Sequence, residues 1–400
     1  MEQLLTGSFE LIKNLNTACI LNKIRVEKAI SRAEIARGTG LTPATVSNIT
    51  SELIDLGLIE ETERGESNGG RKPVLISIKK DTCYFGGICL NSDTVTAAVS
   101  NIEAETLSVF KAPINGASPE EVVSLAVKLL MQAKEKANVK NLVGIGVSTH
   151  GLVNSDEGVM VFAPNLGWSN VKIGEMLNKS TGLPVFVEND VRSMALAESW
   201  CGLACGVSDF VYLYIGPGIG GSIVNNNQVF KGPGLFAGEF GHVTIEPDGP
   251  LCSCGNRGCL QALASEKAVL KRYKKRKADQ RITPHVNNFE ELLQSVQAGD
   301  SDAKEEILQS IRYIGIEVGN IINTLSPKLI VLNGRITRLA KMFMPVLEEE
   351  IKNRSIKYSG SDVKIAFSQL GDEAAIKGAA ANVIRKLFES PRKFLNPIIK

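Results

Sequence analysis

Ser31-Arg-Ala-Glu-Ile-Ala-Arg-Gly-Thr-Gly-Leu-Thr-Pro-Ala-Thr-Val-Ser-Asn-Ile-Thr-Ser-Glu-Leu-Ile-Asp-Leu56 carries helix start and stop signals in close succession. Ser31 and Glu34 have the spacing of a capping box, in which hydroxyl and carboxylate reciprocally satisfy free amides at a helix start. The short helix runs to about Arg37, and Gly38-Thr-Gly40 breaks it. Leu41 reads as a buried turn residue, Thr42 as a second cap, and Pro43 as a first helical residue, where its missing amide costs nothing. The third helix, to about Leu56, has Val46, Ile49, Leu53 and Leu56 on one apolar stripe. Pro43, Ala44, Thr45, Ser47 and Asn48 then face outward with Ser51, as groups small enough to enter a major groove. Helix, glycine turn and helix in this order form a helix-turn-helix.

Upstream, Phe9, Leu11, Ile12, Leu15, Ala18, Cys19, Ile24, Val26 and Ile30 predict one helix or a broken pair. Downstream, Leu58 to Glu61 and Val74 to Ile78 predict two strands joined by a polar stretch with Gly69-Gly70-Arg71-Lys72-Pro73. That is a basic wing, whose Arg71 and Lys72 can approach the DNA backbone or a minor groove. Residues 1–80 hold 11 basic and 10 acidic side chains, so the DNA reading rests on the order of these features and not on charge. Glu60, Glu61, Glu63 and Glu66 must then face away from DNA.

The whole chain has 400 residues, 44% of them hydrophobic, and its 45 Lys and Arg against 43 Asp and Glu leave a net charge of +2. It is a multi-domain globular chain with no electrostatic mark of a nucleic-acid or membrane partner. No apolar run approaches the roughly 18 residues of a membrane span, and an acid stands where a signal peptide would be basic. A cytoplasmic protein is expected, its eight cysteines reduced.

From Cys83 onward, β-rich apolar runs alternate with helical patterns, which predicts an α/β body. Strands are expected at Phe85 to Leu90, Thr94 to Val99, Leu142 to Val147, Val185 to Val187, Phe210 to Ile215, Lys328 to Leu332 and Val363 to Phe367. Helices are expected at Ser118 to Ala137, Val191 to Cys201, Ala262 to Arg272, Asn288 to Ala298, Ala303 to Leu325, Leu339 to Asn353 and Asp372 to Phe388. No internal repeat is visible. The Gly-rich turn Gly216-Pro-Gly-Ile-Gly-Gly221 fits either a phosphate or sugar approach or a tight hairpin, and Asn333-Gly-Arg335 is equally open. Glu188-Asn189-Asp190 ends an apolar strand just before a helix, where side chains either hold a hydroxylated ligand or cap the helix.

His242 followed by Cys252, Cys254 and Cys259 offers one imidazole and three thiolates, a set suited to tetrahedral Zn²⁺. Four protein ligands leave no open position, so the site is structural. Cys19, Cys83, Cys89, Cys201 and Cys205 read as packing residues. Lys271-Arg-Tyr-Lys-Lys-Arg-Lys277 puts six cations in seven positions and reads first as solvated surface. His150 and His285 receive no role.

With these motifs in order, the chain resembles the ROK family of repressors and sugar kinases over nearly all its length. Phe162-Ala-Pro-Asn165-Leu-Gly-Trp168, Glu188-Asn-Asp190, Gly238-Glu-Phe-Gly-His242, the cysteine cluster and Gly371-Asp-Glu-Ala-Ala-Ile-Lys-Gly378 look like its successive signatures. The resemblance implies a winged helix-turn-helix over 1–80, then an actin-like, ribonuclease H-like, sugar-kinase-type body of two α/β lobes. The first lobe would take 81–197 with 371–400, and the second 198–370 with the zinc loop. It implies sugar contacts by Asn165, Asn189, Asp190, Glu239, His242 and Gln261 between the lobes, and Zn²⁺ on His242 and the three cysteines.

The helix-turn-helix points to the repressor branch, similar to repressors of xylose and N-acetylglucosamine genes: operator DNA and a sugar inducer as partners, and a homodimer or homotetramer. Kinase members begin the body with Asp-x-Gly-Gly-Thr-Lys, where this chain has Cys89-Leu-Asn91-Ser92-Asp93-Thr94, and Pro217 stands where a Thr is usual. These changes remove phosphate-handling groups, so ATP use and catalysis are not expected and Asp190 is a vestigial kinase base. Gln261 replaces a sugar-contacting Glu, which removes a charge and adds a donor. The alternatives are an ATP-dependent sugar kinase with an appended DNA module, and a repressor controlled by a partner protein.

Overall fold

A computed structural model describes residues 9–64, 73–283, 285–356, 363–391 and 394. The chain divides into two compact units, Met1–Trp200 with Ala375–Lys400, and Cys201–Ala374.

The first unit opens with a single helix, Phe9–Glu27, followed by Arg32–Thr39 and Pro43–Asp55. The amide of Glu34 bonds Ser31 Oγ and the amide of Ser31 bonds Glu34 Oε2, so the capping box is complete; Thr42 caps the third helix and Pro43 is its first residue. Two details differ from expectation. Gly38 lies inside the second helix, and the break is Gly40, whose φ of +70° is the left-handed conformation glycine adopts freely. Ile30, expected in the first helix, pairs as a short strand with Ile76. It completes a three-stranded sheet in the order Ile30–Ser31, Val74–Ile78, Ile59–Arg64.

The apolar periodicity of the first helix was only half informative. Ile20, Leu21 and Ile24 are buried, whereas Leu11, Ile12 and Leu15 are exposed. Arg25 fastens this helix to the body: its guanidinium lies 4.3 Å over the Trp200 ring and donates to the carbonyls of Ser199 and Trp200 at 3.1 and 3.0 Å.

The body of the first unit is a five-stranded sheet in the order Val185–Asn189, Ile145–Thr149, Tyr84–Leu90, Thr94–Asn101, Thr106–Pro113. The first three strands are parallel, and the other two are antiparallel additions. Two of these five depart from expectation: the strand placed from Leu142 begins at Ile145, and Thr106–Pro113 was not foreseen because Leu107 and Val109 point to solvent. Helix Ala374–Glu389 returns from the far end of the chain and lies against this sheet. Its approach depends on Gly146, where a Cβ would overlap the carbonyl oxygen of Ala379.

The second unit repeats the topology. Its sheet runs Gln228–Phe230, Ile219–Asn225, Phe210–Ile215, Leu329–Asn333, Lys364–Phe367, again with three parallel central and outer strands and an antiparallel hairpin pair. Numbered along the chain, both sheets have the order 3-2-1-4-5, a duplication that no sequence repeat announces. The helix expected over Ala262 to Arg272 is two helices, Leu260–Ala264 and Glu266–Asp279, divided at Ser265, which caps the second.

Candidate functional site

The candidate nucleic-acid face is built from the third helix. Val46, Ile49, Thr50 and Leu53 are buried beneath it, which turns Pro43, Ala44, Ser47 and Asn48 outward as exposed groups. Thr45 is half-buried and its hydroxyl meets that of Thr42 at 2.9 Å, so it belongs to the cap as much as to the surface. Thr50, which the apolar count passed over, receives Arg32 Nε at 3.0 Å and ties the two helices together. Glu61 pairs with Arg32 at 2.9 Å and Glu52 with Lys13 at 2.7 Å, which neutralises acids that would repel phosphate. Arg71 and Lys72 lie outside the described residues.

In the first unit, Glu188, Asn189 and Asp190 stand where a parallel strand passes into helix Asp190–Cys201. Their duties differ. Glu188 is turned inward, accepting from Ser155 Oγ at 2.8 Å and lying 3.6 Å from Arg192, which removes it from any ligand-binding role. Asn189 caps the helix, its Oδ1 accepting from the amides of Val191 and Arg192, while Nδ2 donates to the carbonyl of Gly151 at 3.1 Å. One Nδ2 hydrogen remains for a ligand. Asp190 accepts from the Val191 amide at 2.8 Å. Burial pushes its carboxyl above the usual range, and the neighbouring His150 pulls the other way. Asn165 is exposed on the turn between strands Val159–Ala163 and Trp168–Val171. The stretch Asn91-Ser92-Asp93 forms a tight turn closed by the Asn91 amide on the carbonyl of Thr94 at 2.9 Å.

In the second unit, His242, Cys252, Cys254 and Cys259 converge, with all four ligand atoms within 4.8 Å of one another. Cys252 Sγ is 3.7 Å from His242 Nδ1, and Cys254 Sγ is 3.7 Å from Cys259 Sγ. A tetrahedral ion bound to sulfur at about 2.3 Å spaces its ligands by about 3.8 Å, so the cage is preformed to the size of such an ion. Burial pushes the Cys259 thiol up to about 12, with the adjoining thiols adding to the effect, whereas the Asn256 amide holds Cys254 low. A metal cation is what makes three neighbouring thiolates compatible. Gly258 turns the loop with φ +63°, and a Cβ there would overlap the carbonyl oxygen of Glu246.

Gln261 links this cage to the Gly-rich turn. Its Oε1 accepts from the amide of Ile219 at 3.0 Å and its Nε2 reaches Ser253 Oγ at 3.4 Å. Glu239 is exposed beside the short helix Phe240–His242.

Other sequence features were absorbed by the structure. Arg272 and Arg276 of the basic run both bond Glu306 at 2.8 Å, and Lys277 meets Asp302 at 2.8 Å, so half the run is an internal ion-pair network instead of free surface. Arg335 donates to buried Glu266 at 3.0 Å. Of the five cysteines expected to pack, Cys83 and Cys89 are buried, but Cys19 and Cys201 are exposed and Cys205 is half-buried; short apolar context does not determine which side of a helix a residue occupies.

No helix among the described residues is long and apolar enough to cross a membrane. The ROK family matches residues 85–386, and the IclR helix-turn-helix domain matches residues 27–63. The chain is 34% identical over 395 residues to a xylose repressor of Caldicellulosiruptor bescii, covering 96% of this chain and 99% of that one. It is 29% identical over 386 residues to the DNA-binding transcriptional dual regulator NagC of Escherichia coli, with 95% of each covered.

Among solved structures, a ROK family transcriptional regulator, described as a homolog of the E. coli MLC protein, matches with a TM-score of 0.83 at 29% identity, covering 96% of this chain and 100% of its own. A ROK hexokinase from Thermus thermophilus matches with a TM-score of 0.63 at 29% identity, covering 75% of this chain and 97% of its own. A helix-turn-helix followed by an actin-like, sugar-kinase-type body of two α/β units is thus the architecture of this chain, which belongs to the ROK family.

Proposed function

We propose that the protein is a transcriptional repressor of sugar-utilisation genes, bound to operator DNA through helix Pro43–Asp55 and released by a sugar inducer. The observation that carries the reading is the exposed small-residue face of that helix, Pro43, Ala44, Ser47 and Asn48, on a chain similar over almost its full length to sugar-gene repressors. Arg71 and Lys72 would add phosphate contacts.

The groups assigned to the inducer's hydroxyls are Asn165, Asn189 and Asp190 in the first unit and, in the second, Glu239, His242 and Gln261. Asp190 is an acceptor for a hydroxyl, and the free Asn189 hydrogen a donor to one. His242 can serve sugar and metal together, because Nδ1 faces Cys252 and leaves Nε2 available. The metal is Zn²⁺, held by His242, Cys252, Cys254 and Cys259; it supplies no chemistry beyond bracing the loop that carries Glu239 and Gln261. A sugar can loosen DNA only by binding more tightly to the conformation that binds DNA poorly. A symmetric homodimer or homotetramer matched to a palindromic operator is the natural assembly, working in the cytoplasm.

Xylose is the first inducer to test, since a xylose repressor is 34% identical. In gel-shift titrations on a palindromic site upstream of its own gene cluster, D-xylose or another monosaccharide from a broad panel is expected to raise the apparent Kd for DNA at least about tenfold. If no sugar weakens binding, the inducer reading fails. A kinase reading draws on Asp190 and on the likeness to a hexokinase; turnover of about 1–100 per second in a coupled ADP-release assay would establish it, and none is expected with Cys89-Leu-Asn91-Ser92 in the phosphate position.

A further inference from the structure

His150 follows strand Ile145–Thr149, whose parallel register pairs Thr149 with Leu90 on one side and with Asn189 on the other. One step beyond these pairs the same register brings Asn91, His150 and Asp190 into a row across the carboxyl ends of three parallel strands, the place where open α/β sheets hold ligands. The ladder continues far enough to support the row, because the His150 amide still reaches the carbonyl of Leu90 at 3.4 Å. The following residue is pinned as well: Gly151 has φ +93°, a Cβ on it would overlap the carbonyl oxygen of Phe162, and its own carbonyl accepts from Asn189.

The imidazole is anchored at one end only. Nδ1 lies 3.4 Å from the carbonyl of Leu90, while Nε2 is buried with no hydrogen-bond partner among the described residues. Native proteins seldom leave such atoms unmatched, and where they do, a ligand or a change of state supplies the partner.

We propose that His150 is the positioning residue for the inducer's hydroxyl at Asp190: when a sugar hydroxyl donates to one carboxylate oxygen of Asp190, a His150 ring carrying a proton on both nitrogens donates from Nδ1 to the Leu90 carbonyl and from Nε2 to the other carboxylate oxygen, and holds the acceptor in place. The inference rests on the sugar-released repressor reading above and adds to it a residue outside the proposed sugar contacts. Asp190 is otherwise supported at the strand–helix junction, by the Val191 amide, by its own amide and by the Asn189 side chain, so the imidazole adds support from the adjoining strand end. The titratable group next to the pair is Cys89 at the end of strand Tyr84–Leu90, whose thiol burial and Asp190 push up and Lys111 on strand Thr106–Pro113 pulls down. Nothing is transferred; the effect is orientation of an acceptor.

Two variants and one spectrum test this. His150→Leu keeps the volume and loses the donor, and is expected to weaken binding of D-xylose or N-acetyl-D-glucosamine, whichever the wild-type protein takes, by about 10- to 100-fold in calorimetric titration. His150→Gln retains a donor near the Nε2 position and should restore affinity to within about threefold of wild type, with thermal unfolding of both variants unchanged. The chain has three histidines, so imidazole ¹⁵N resonances are assignable by substitution, and the His150 Nε2 signal should move on sugar addition.

Equal sugar affinity in wild type and His150→Leu, a Gln variant as weak as the Leu variant, or an unmoved Nε2 signal in a sugar-saturated sample would each overturn the inference while leaving the repressor reading intact. Failure of the wild-type protein to bind these two sugars and every other sugar of the panel would instead overturn the sugar reading, and this inference with it.

Discussion

Glu317 shows how one residue can set a solution property of this protein. It is 2% exposed on helix Ser301–Leu325, receives Asn320 Nδ2 at 3.2 Å, and burial pushes its carboxyl up to about 7. Because the folded pKa lies above the unfolded one, folding takes up a proton here. The stabilisation is complete below the unfolded value of about 4.3 and is lost as pH rises through about 7. Wild-type stability at this site should therefore fall by roughly 1–3 kcal/mol between pH 5 and 8, and Glu317→Gln should flatten that slope in chemical denaturation. Gly146 makes the opposite point, since its importance is steric. Gly146→Val would drive a side chain into the backbone of helix Ala374–Glu389 at Ala379 and should cost on the order of 3 kcal/mol, read as a lower thermal midpoint. Neither residue was singled out by sequence, because periodicity reports which face is apolar but not how close the next element lies. Capping residues were legible for the converse reason: Ser31, Glu34 and Thr42 act on amides within three positions of themselves.

At the scale of elements, helix Asp190–Cys201 has the proposed sugar acceptor Asp190 at its start and, at its end, the carbonyls of Ser199 and Trp200 that take Arg25. Trp200 in turn donates from its indole to the carbonyl of Ile102 at 3.1 Å and meets Phe388 edge-on at 4.8 Å. The helix-turn-helix module is thus seated on the body through one guanidinium, with Lys28 and Lys80 pairing to Glu103 nearby. Arg25→Ala should lower stability by about 2 kcal/mol, with a change in emission of Trp200, one of only two tryptophans. Arg25→Lys should recover little of this, since an ammonium does not provide the planar fork that stacks and donates twice. An emission spectrum identical to wild type in Arg25→Ala would count against this seat. The elements themselves were mostly visible in the sequence, but short strands such as Leu152–Asn154 and Gln228–Phe230 were not, being too brief to show a period.

Across the whole molecule, the two units share one sheet order without sharing detectable sequence, and they carry different chemistry: Asn189 and Asp190 at a strand end in the first, a loop built around four candidate metal donors in the second. The second contribution should depend on the ion. Prolonged chelation, or Cys259→Ser, is expected to lower the thermal midpoint by roughly 5–10 °C, corresponding to a few kcal/mol in a unit of this size, with bound zinc falling in parallel by elemental analysis. An unchanged midpoint with full zinc loss would show that the loop stands without it.

Sequence alone determined the features whose physics is local. These are the two helix caps, the glycine turn, the outward face of Pro43, Ala44, Ser47 and Asn48, the four candidate metal donors, and the alternation that marks an α/β body. Tertiary structure decided how each of three adjacent polar residues is engaged. Glu188 went to Ser155 and Arg192, Asn189 mostly to the helix start, and Asp190 remained. It also divided the basic run between solvent and Glu306, and set His150 beside Asp190. Those outcomes depend on the register of strands far apart in the chain and on the distance between packed elements, quantities that no window of neighbouring residues contains.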